Sequence, residues 1–171
     1  ATDNQIRERF GALVEDALAG RLDAWAGTAL GRLALIVLLD QFTRNLFRGT
    51  ARSFAGDPQA LQLALDGIAL GHDRHADLPA VARIFCYLPL EHAEDLALQD
   101  RSVAAFQALA DQAGDAVGEG VREFLAGTLD YAHRHRDVIV RYGRFPHRNA
   151  VLGRTSTPEE LQYLSQPGAG F

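Results

Sequence analysis

Residues able to move a proton gather at three places in this sequence: Glu91, His92 and Asp95 in "EHAED", His135 in "YAHRHRD" and His147 in "FPHRN". In the acid–base reading, a histidine of this set exchanges a proton with a bound molecule. Glu91 or Asp95 then orients it or accepts the proton. Forked donors capable of gripping a carboxylate or phosphate stand nearby in the sequence pattern, at Arg44, Arg48, Arg144 and Arg148. Asp40, Gln41, Asn45, Gln99, Arg136 and Asn149 complete the candidate ligand contacts. Between Tyr131 and Ser156, six arginines face one acid, Asp137, so this window is net +5 in a chain whose total is -5. A basic patch on an acidic body suits a small anion, and the repulsive remainder argues against broad nucleic-acid binding.

Metal chelation is considered at His92 and Asp95, spaced i,i+3, and at His133 and Asp137, spaced i,i+4. Such pairs are common on helices, and neither H-E-x-x-H nor a paired Glu-x-x-His is present. No metal and no cofactor are expected. Cys86 is the only cysteine, so it forms no intrachain disulfide; in "RIFCYL" it reads as a packed, inert thiol. "GHD" at 71–73 resembles the His-Asp dipeptide of helical metal-dependent phosphohydrolases, but no histidine precedes it and Gly71 places it in a loop. No P-loop, GxSxG or glycine-rich dinucleotide turn occurs.

The elements that must position these groups read as helices almost throughout. Residues 4–19 put Ile6, Phe10, Leu13, Val14 and Ala17 on one face, with Gly20 as a stop. A second helix is expected from about Thr28 to Phe47, with Leu33, Val37, Asp40, Arg44 and Phe47 in one row and Ala34, Leu38, Gln41 and Asn45 in the next. Asp57-Pro58 reads as a cap followed by a first turn. Pro79 opens "PAVARIFCYLP", and Pro89 is expected to kink or break the chain before the next helix. There the stripe steps through His92, Leu96, Gln99, Val103, Phe106 and Ala110, with Glu91 and Asp95 one turn apart on a neighbouring face. The last long helix, about 116–142, carries Val121, Phe124, Thr128, Ala132, His135, Ile139 and Tyr142 inward, which leaves His133 outside. Thr157 and Glu160 are spaced as a capping box around Pro158.

Polar groups thus continue the apolar stripes of three helices. Left unpaired in a core, each costs ~1–3 kcal/mol. They are expected to meet one another or a ligand in an inward pocket. The loop "GRFPHRN" is expected to fold back so that Arg144 or Arg148 reaches Glu91, Asp95 or the row containing Asp40 and Arg44.

At 171 residues with 47% apolar content, the chain reads as a single helical domain, 1–171. No apolar run approaches the ~20 residues needed to cross a bilayer. With a lone cysteine and no signal-peptide core in "ATDNQIRERF", a cytoplasmic setting without membrane attachment is the expectation. The oligomeric state is open.

Taken together, "LALIVLLDQFTRNLFRGTARSFAGD", "GHD", "FCYLPLEHAEDLALQDRSV", "YAHRHRDVIVRYGRFPHRNAVLGRTSTPEE" and "PGAGF" resemble the bacterial domain-of-unknown-function family nine-two-four, over nearly the whole chain. The resemblance implies an all-α fold of antiparallel helical hairpins, a tetratricopeptide-repeat-like superhelix or bundle, and implies no particular reaction. It also implies an aromatic "FWF"-type segment before the first helix. This sequence starts after that segment, so part of any site it covers is expected to be missing. The family's usual proline after "LDQF" is Thr43 here, which is expected to leave the second helix less kinked. Two functions follow as expectations: binding or transformation of a small anion in a polar pocket, or a helical scaffold that reads a peptide or protein partner, often through a carboxylate clamp.

Overall fold

The structure, a computed structural model, describes residues 2–114 and 117–171. Its α-helices are α1 (Thr2–Leu18), α2 (Ala29–Ile36), α3 (Thr43–Leu46), α4 (Asp57–Ala69), α5 (Ala80–Glu91), α6 (Leu96–Ala113), α7 (Glu119–Tyr142) and α8 (Pro158–Leu164). No strand occurs among the described residues, in line with the helical periodicity. Residue 116, where the sequence pattern starts the last long helix, lies outside the described residues.

One apolar cluster joins α5, α6 and α7 through Ile84, Tyr87, Phe106, Leu109, Leu125 and Ala132. A second joins α1 to the helix that follows through Val14, Ala17, Leu35, Leu38, Leu39 and Leu46. A smaller one, Val138, Ile139 and Phe145, sits where the chain leaves α7. That exit is made by Gly143, whose φ of 71° is open to glycine at little cost and whose N–H closes on the Ile139 carbonyl. The basic segment is thereby turned back over the fold.

Two local departures from regular helix matter for the site. Between α2 and α3 the rod widens into π turns over Val37–Phe42, so it carries an extra residue where the sequence pattern has a plain helix. A π turn shifts the phase of everything after it and exposes a carbonyl. Here the Leu39 carbonyl accepts from Thr43 Oγ1 at 2.7 Å and also lies against the backbone of Gly56.

The second departure concerns the kink or break expected at Pro89, where the chain does not leave the helix. That proline sits inside the last turn of α5, and the helix runs on to Glu91. The break comes instead at His92–Asp95, with Asp95 capping α6 by accepting from the Leu98 N–H at 2.9 Å. Glu91 and His92 therefore belong to the end of α5, so Glu91 and Asp95 do not lie one turn apart on a common helix face. Gln99 is fully buried on the Phe106 side, as the stripe predicts. Its amide donates to the Glu91 and Ala93 carbonyls at 2.7 and 2.8 Å, which fastens α6 to the end of α5.

Candidate functional site

The end of α5, the π turns and the middle of α7 meet at four ionisable groups. Asp40, fully buried, accepts from His92 Nδ1 at 2.7 Å and from Gln41 Nε2 at 2.5 Å, with Arg44 at 3.4 Å. Burial alone would raise its carboxyl. The His92 beside it, the hydrogen bonds and Arg44 outweigh that and hold it at about 2. Asp40 is thus an anion that fixes the His92 ring and leaves Nε2 as the nitrogen open to a ligand.

Glu91 and His135 have the opposite character. Burial first, then the charge of Asp40, pushes the Glu91 carboxyl up to about 8. Burial also pushes His135 down to about 3, against the opposing pull of the Tyr131 carbonyl. His135 Nδ1 lies 2.8 Å from that carbonyl and 3.1 Å from Glu91 Oε1. At neutral pH both partners are uncharged, so this is a contact between neutral groups and not an ion pair. A carbonyl can only accept, so the His135 ring proton sits on Nδ1 and the lone pair on Nε2. Glu91 Oε2 is buried with no partner.

Above these groups opens a cavity of about 290 Å³, lined among others by Gln41, Arg44, Phe54, His92, His135, His147, Arg148 and Phe171. Arg44 is spoken for: its guanidinium grips both oxygens of Asp57 at 2.8 and 3.1 Å and the Asp40 carbonyl at 2.6 Å. Arg148, only 7% exposed, is less well held. It donates to the His92 carbonyl at 3.0 Å, stands 3.6 Å from Asp57, and lies between the Phe54 and Phe145 rings at 4.6 Å from each. Its Nε has no acceptor, and burial lowers the group to about 10. His147, with a buried and unpartnered Nδ1, is lowered to about 4 by burial and then by Arg148. The Phe171 ring stacks on His135 at 3.6 Å and narrows the space.

Of the residues singled out in the sequence, Gln41, Arg44, His92, His135, His147 and Arg148 line this cavity, with Asp40 and Glu91 bonded beneath them. Arg48 stands exposed at its rim and pairs with Asp3 at 3.1 Å. The others serve elsewhere. Asn45 also bonds Asp3. Arg136 pairs with Asp100 on the surface. Arg144 takes both oxygens of Glu160, and Asn149 bonds Ser156 and Glu160. Asp95 is a helix cap, and Gln99 a backbone clasp.

Of the loop's two arginines, Arg148 is the one that reaches the Asp40–Arg44 region, 3.6 Å from the Asp57 that Arg44 grips, and His147 lines the same cavity. The loop's electrostatic counterpart in "EHAED" is neither Glu91 nor Asp95 but Glu94, which accepts from the Phe145 N–H at 2.8 Å and grips Arg154 at 2.7 and 2.8 Å.

Sequence reasoning also missed Asp57, Phe54 and Phe171. Asp57 looked like a cap because it precedes Pro58; Gly56 holds that position and the carboxylate turns to Arg44. For the two phenylalanines the sequence carried no signal. Of the chelating pairs considered there, Asp95 is engaged as a helix cap and His133 stands exposed on the surface of α7. A different set comes together: Glu91, His92 and His135 each offer a ligand atom, all within 4.8 Å of one another. "GHD" is a structural corner, where buried Asp73 accepts from the Tyr87 hydroxyl at 2.7 Å. Cys86 is buried, its thiol pushed up to about 11 by burial and Asp73.

A second opening, about 520 Å³, lies between α5 and α7 and is lined by Val81, Ile84, Phe85, Leu88, Phe124 and Tyr131, together with Glu91 and Glu123. Among the described residues no helix is long and apolar enough to cross a membrane.

No curated protein matches this sequence significantly. Among solved structures, the chain is similar to the protein of unknown function ATU0120 from Agrobacterium tumefaciens, at 42% identity and a TM-score of 0.79. The match covers 96% of this chain and 84% of the other. The family model described as bacterial protein of unknown function (DUF924) matches residues 1–168. With the model spanning nearly every residue and a solved relative sharing the helical frame that carries the cavity, the chain belongs to the DUF924 family.

Proposed function

We propose that this protein binds a small anionic molecule, a carboxylate or a phosphate, in the cavity bounded by Arg44, Arg148, His92 and His147, above the reactive floor made by Asp40, Glu91 and His135. Arg148 carries the reading. A guanidinium held in a wall of aromatic rings, with Nε lacking any acceptor, leaves a desolvated donor that an anionic oxygen satisfies. Arg44 is saturated by Asp57 and contributes field more than bonds. His147, neutral and unpartnered, is a further donor or acceptor for the same ligand.

The peptide-scaffold alternative fits the molecule less well. The groove between α5 and α7 is mostly apolar, its only charged lining residues Glu91 and Glu123 being acidic, with no basic residue among those lining it to clamp a peptide carboxylate.

Thermal melts in phosphate and in chloride of equal ionic strength, both with chelator present, test the reading. Phosphate at a hundred times its Kd stabilises the wild type by about 2.7 kcal/mol through mass action. Arg148→Met, which keeps much of the packing, loses most of that gain. Equal stabilisation of both proteins would mean that phosphate acts by general exclusion, and the anion site would be withdrawn.

A further inference from the structure

We propose that Glu91, His92 and His135 form a site for one divalent first-row transition-metal ion, zinc(II) or iron(II) in type, at the floor of the cavity. One ring nitrogen of each histidine and one oxygen of Glu91 lie within 4.8 Å of one another, and the three residues come from two elements, the end of α5 and the middle of α7. The surroundings of the two imidazoles point to a ligand more strongly than their proximity does. A metal-bound histidine donates its second ring N–H to a carboxylate or a backbone carbonyl, which fixes the tautomer and aims the other nitrogen at the ion. Both histidines have that partner already. His92 Nδ1 is 2.7 Å from Asp40 Oδ1, and His135 Nδ1 is 2.8 Å from the Tyr131 carbonyl. Each thereby keeps Nε2 as its free lone-pair nitrogen.

The third ligand is a separate observation. Glu91 Oε2 is buried without a partner, on a side chain only 4% exposed. An unsatisfied carboxyl oxygen beside two oriented imidazoles is costly as it stands, and a cation resolves it. Two imidazoles and one carboxylate suit zinc or non-haem iron, whereas magnesium and calcium prefer oxygen shells. Three protein ligands leave a position open. Charge closes the picture: once Glu91 gives up its proton to ligate, carboxylates Asp40, Asp57 and Glu91 stand against guanidiniums Arg44 and Arg148. A divalent ion turns that balance positive by one, and a monoanion neutralises it. In this last respect the inference rests on the anion reading and deepens it; the ligand set stands without it.

The full chain, stripped with chelator and dialysed, is titrated with zinc(II) by calorimetry and with cobalt(II) by visible absorption. One equivalent is expected, with cobalt bands of a nitrogen- and oxygen-ligated site. Glu91→Gln weakens zinc binding at least as much as the roughly 10–100-fold loss expected from Asp40→Asn, which removes only the orienting partner of His92. His133→Ala, at an exposed histidine on the same helix, leaves binding unchanged. Wild-type affinity no better than that of Glu91→Gln, or loss of binding in His133→Ala, overturns the site. Should Glu91→Gln not fold, the wild-type cobalt spectrum compared with that of His135→Gln decides: identical spectra overturn it. Phosphate stabilisation in chelator without zinc binding rejects the metal alone. Zinc binding without phosphate stabilisation rejects the anion reading alone.

Discussion

Glu91 enters the fold as a neutral acid. Its carboxyl, raised from 4.5 to about 8 by burial and by Asp40, releases its proton later in the folded chain than in the unfolded one. The sign follows: this group favours folding fully below pH 4.5, and its contribution declines as pH rises toward 8. In chelator, Glu91→Gln should therefore raise the urea midpoint at pH 8 relative to wild type and leave little difference at pH 4. Chemical denaturation at the two pH values measures it. A carboxyl kept at the expense of stability in the metal-free protein is what a ligating position requires. His135 and Gln99 were legible beforehand because each lies on its own helix's apolar stripe, where a period of 3.6 fixes direction. The Asp40–His92 bond was not legible. Its partners are 52 positions apart, and the break placed at Pro89 put His92 on the wrong helix.

Among the elements, the π turns at Val37–Phe42 do the most to position the site, because they deliver Asp40 into the core while Arg44 still reaches Asp57. Nothing in "VLLDQF" distinguishes a π turn from an α turn, since both show the same apolar run. The turn is instead supported from outside, by Gly56 packed against the Leu39 carbonyl. A Cβ at that position would collide with backbone, which cannot rotate away. Gly56→Ala should cost about 1–3 kcal/mol, the usual range for overpacking, or more. Urea unfolding measures the loss. Cavity function should fall with it, because the displaced atom belongs to the residue before Asp40. Loss of stability within a few tenths of wild type would show that the two backbones separate easily.

Across the whole molecule, the arginines after α7 find their acids far away in sequence: Arg154 at Glu94, Arg144 at Glu160, Arg148 near Asp57. The imbalance of charge was readable from composition, while its resolution depends on contacts between distant segments that no local pattern encodes. Arg144 first, then the Thr157 N–H and Asn149, holds the Glu160 carboxyl at about 2, below its usual 4.5. That stabilisation is complete above pH 4.5 and is lost as pH falls toward 2. Acid titration should release α8 in that window, read from the near-ultraviolet signal of the Tyr142–Tyr163 pair, and Glu160→Gln should abolish that step. The same long-range wiring sets an order in time. His92 and Arg148 are separated by 56 positions. At ~5–20 residues per second, the ribosome needs about 3–11 s to go from one to the other. Through that interval a nascent chain can hold Asp40 and His92 but not the Arg148 guanidinium, and the second imidazole, His135, appears only in its later part. The cavity therefore cannot be complete until Arg148 has been made, and a ligand present during synthesis finds no finished site before then.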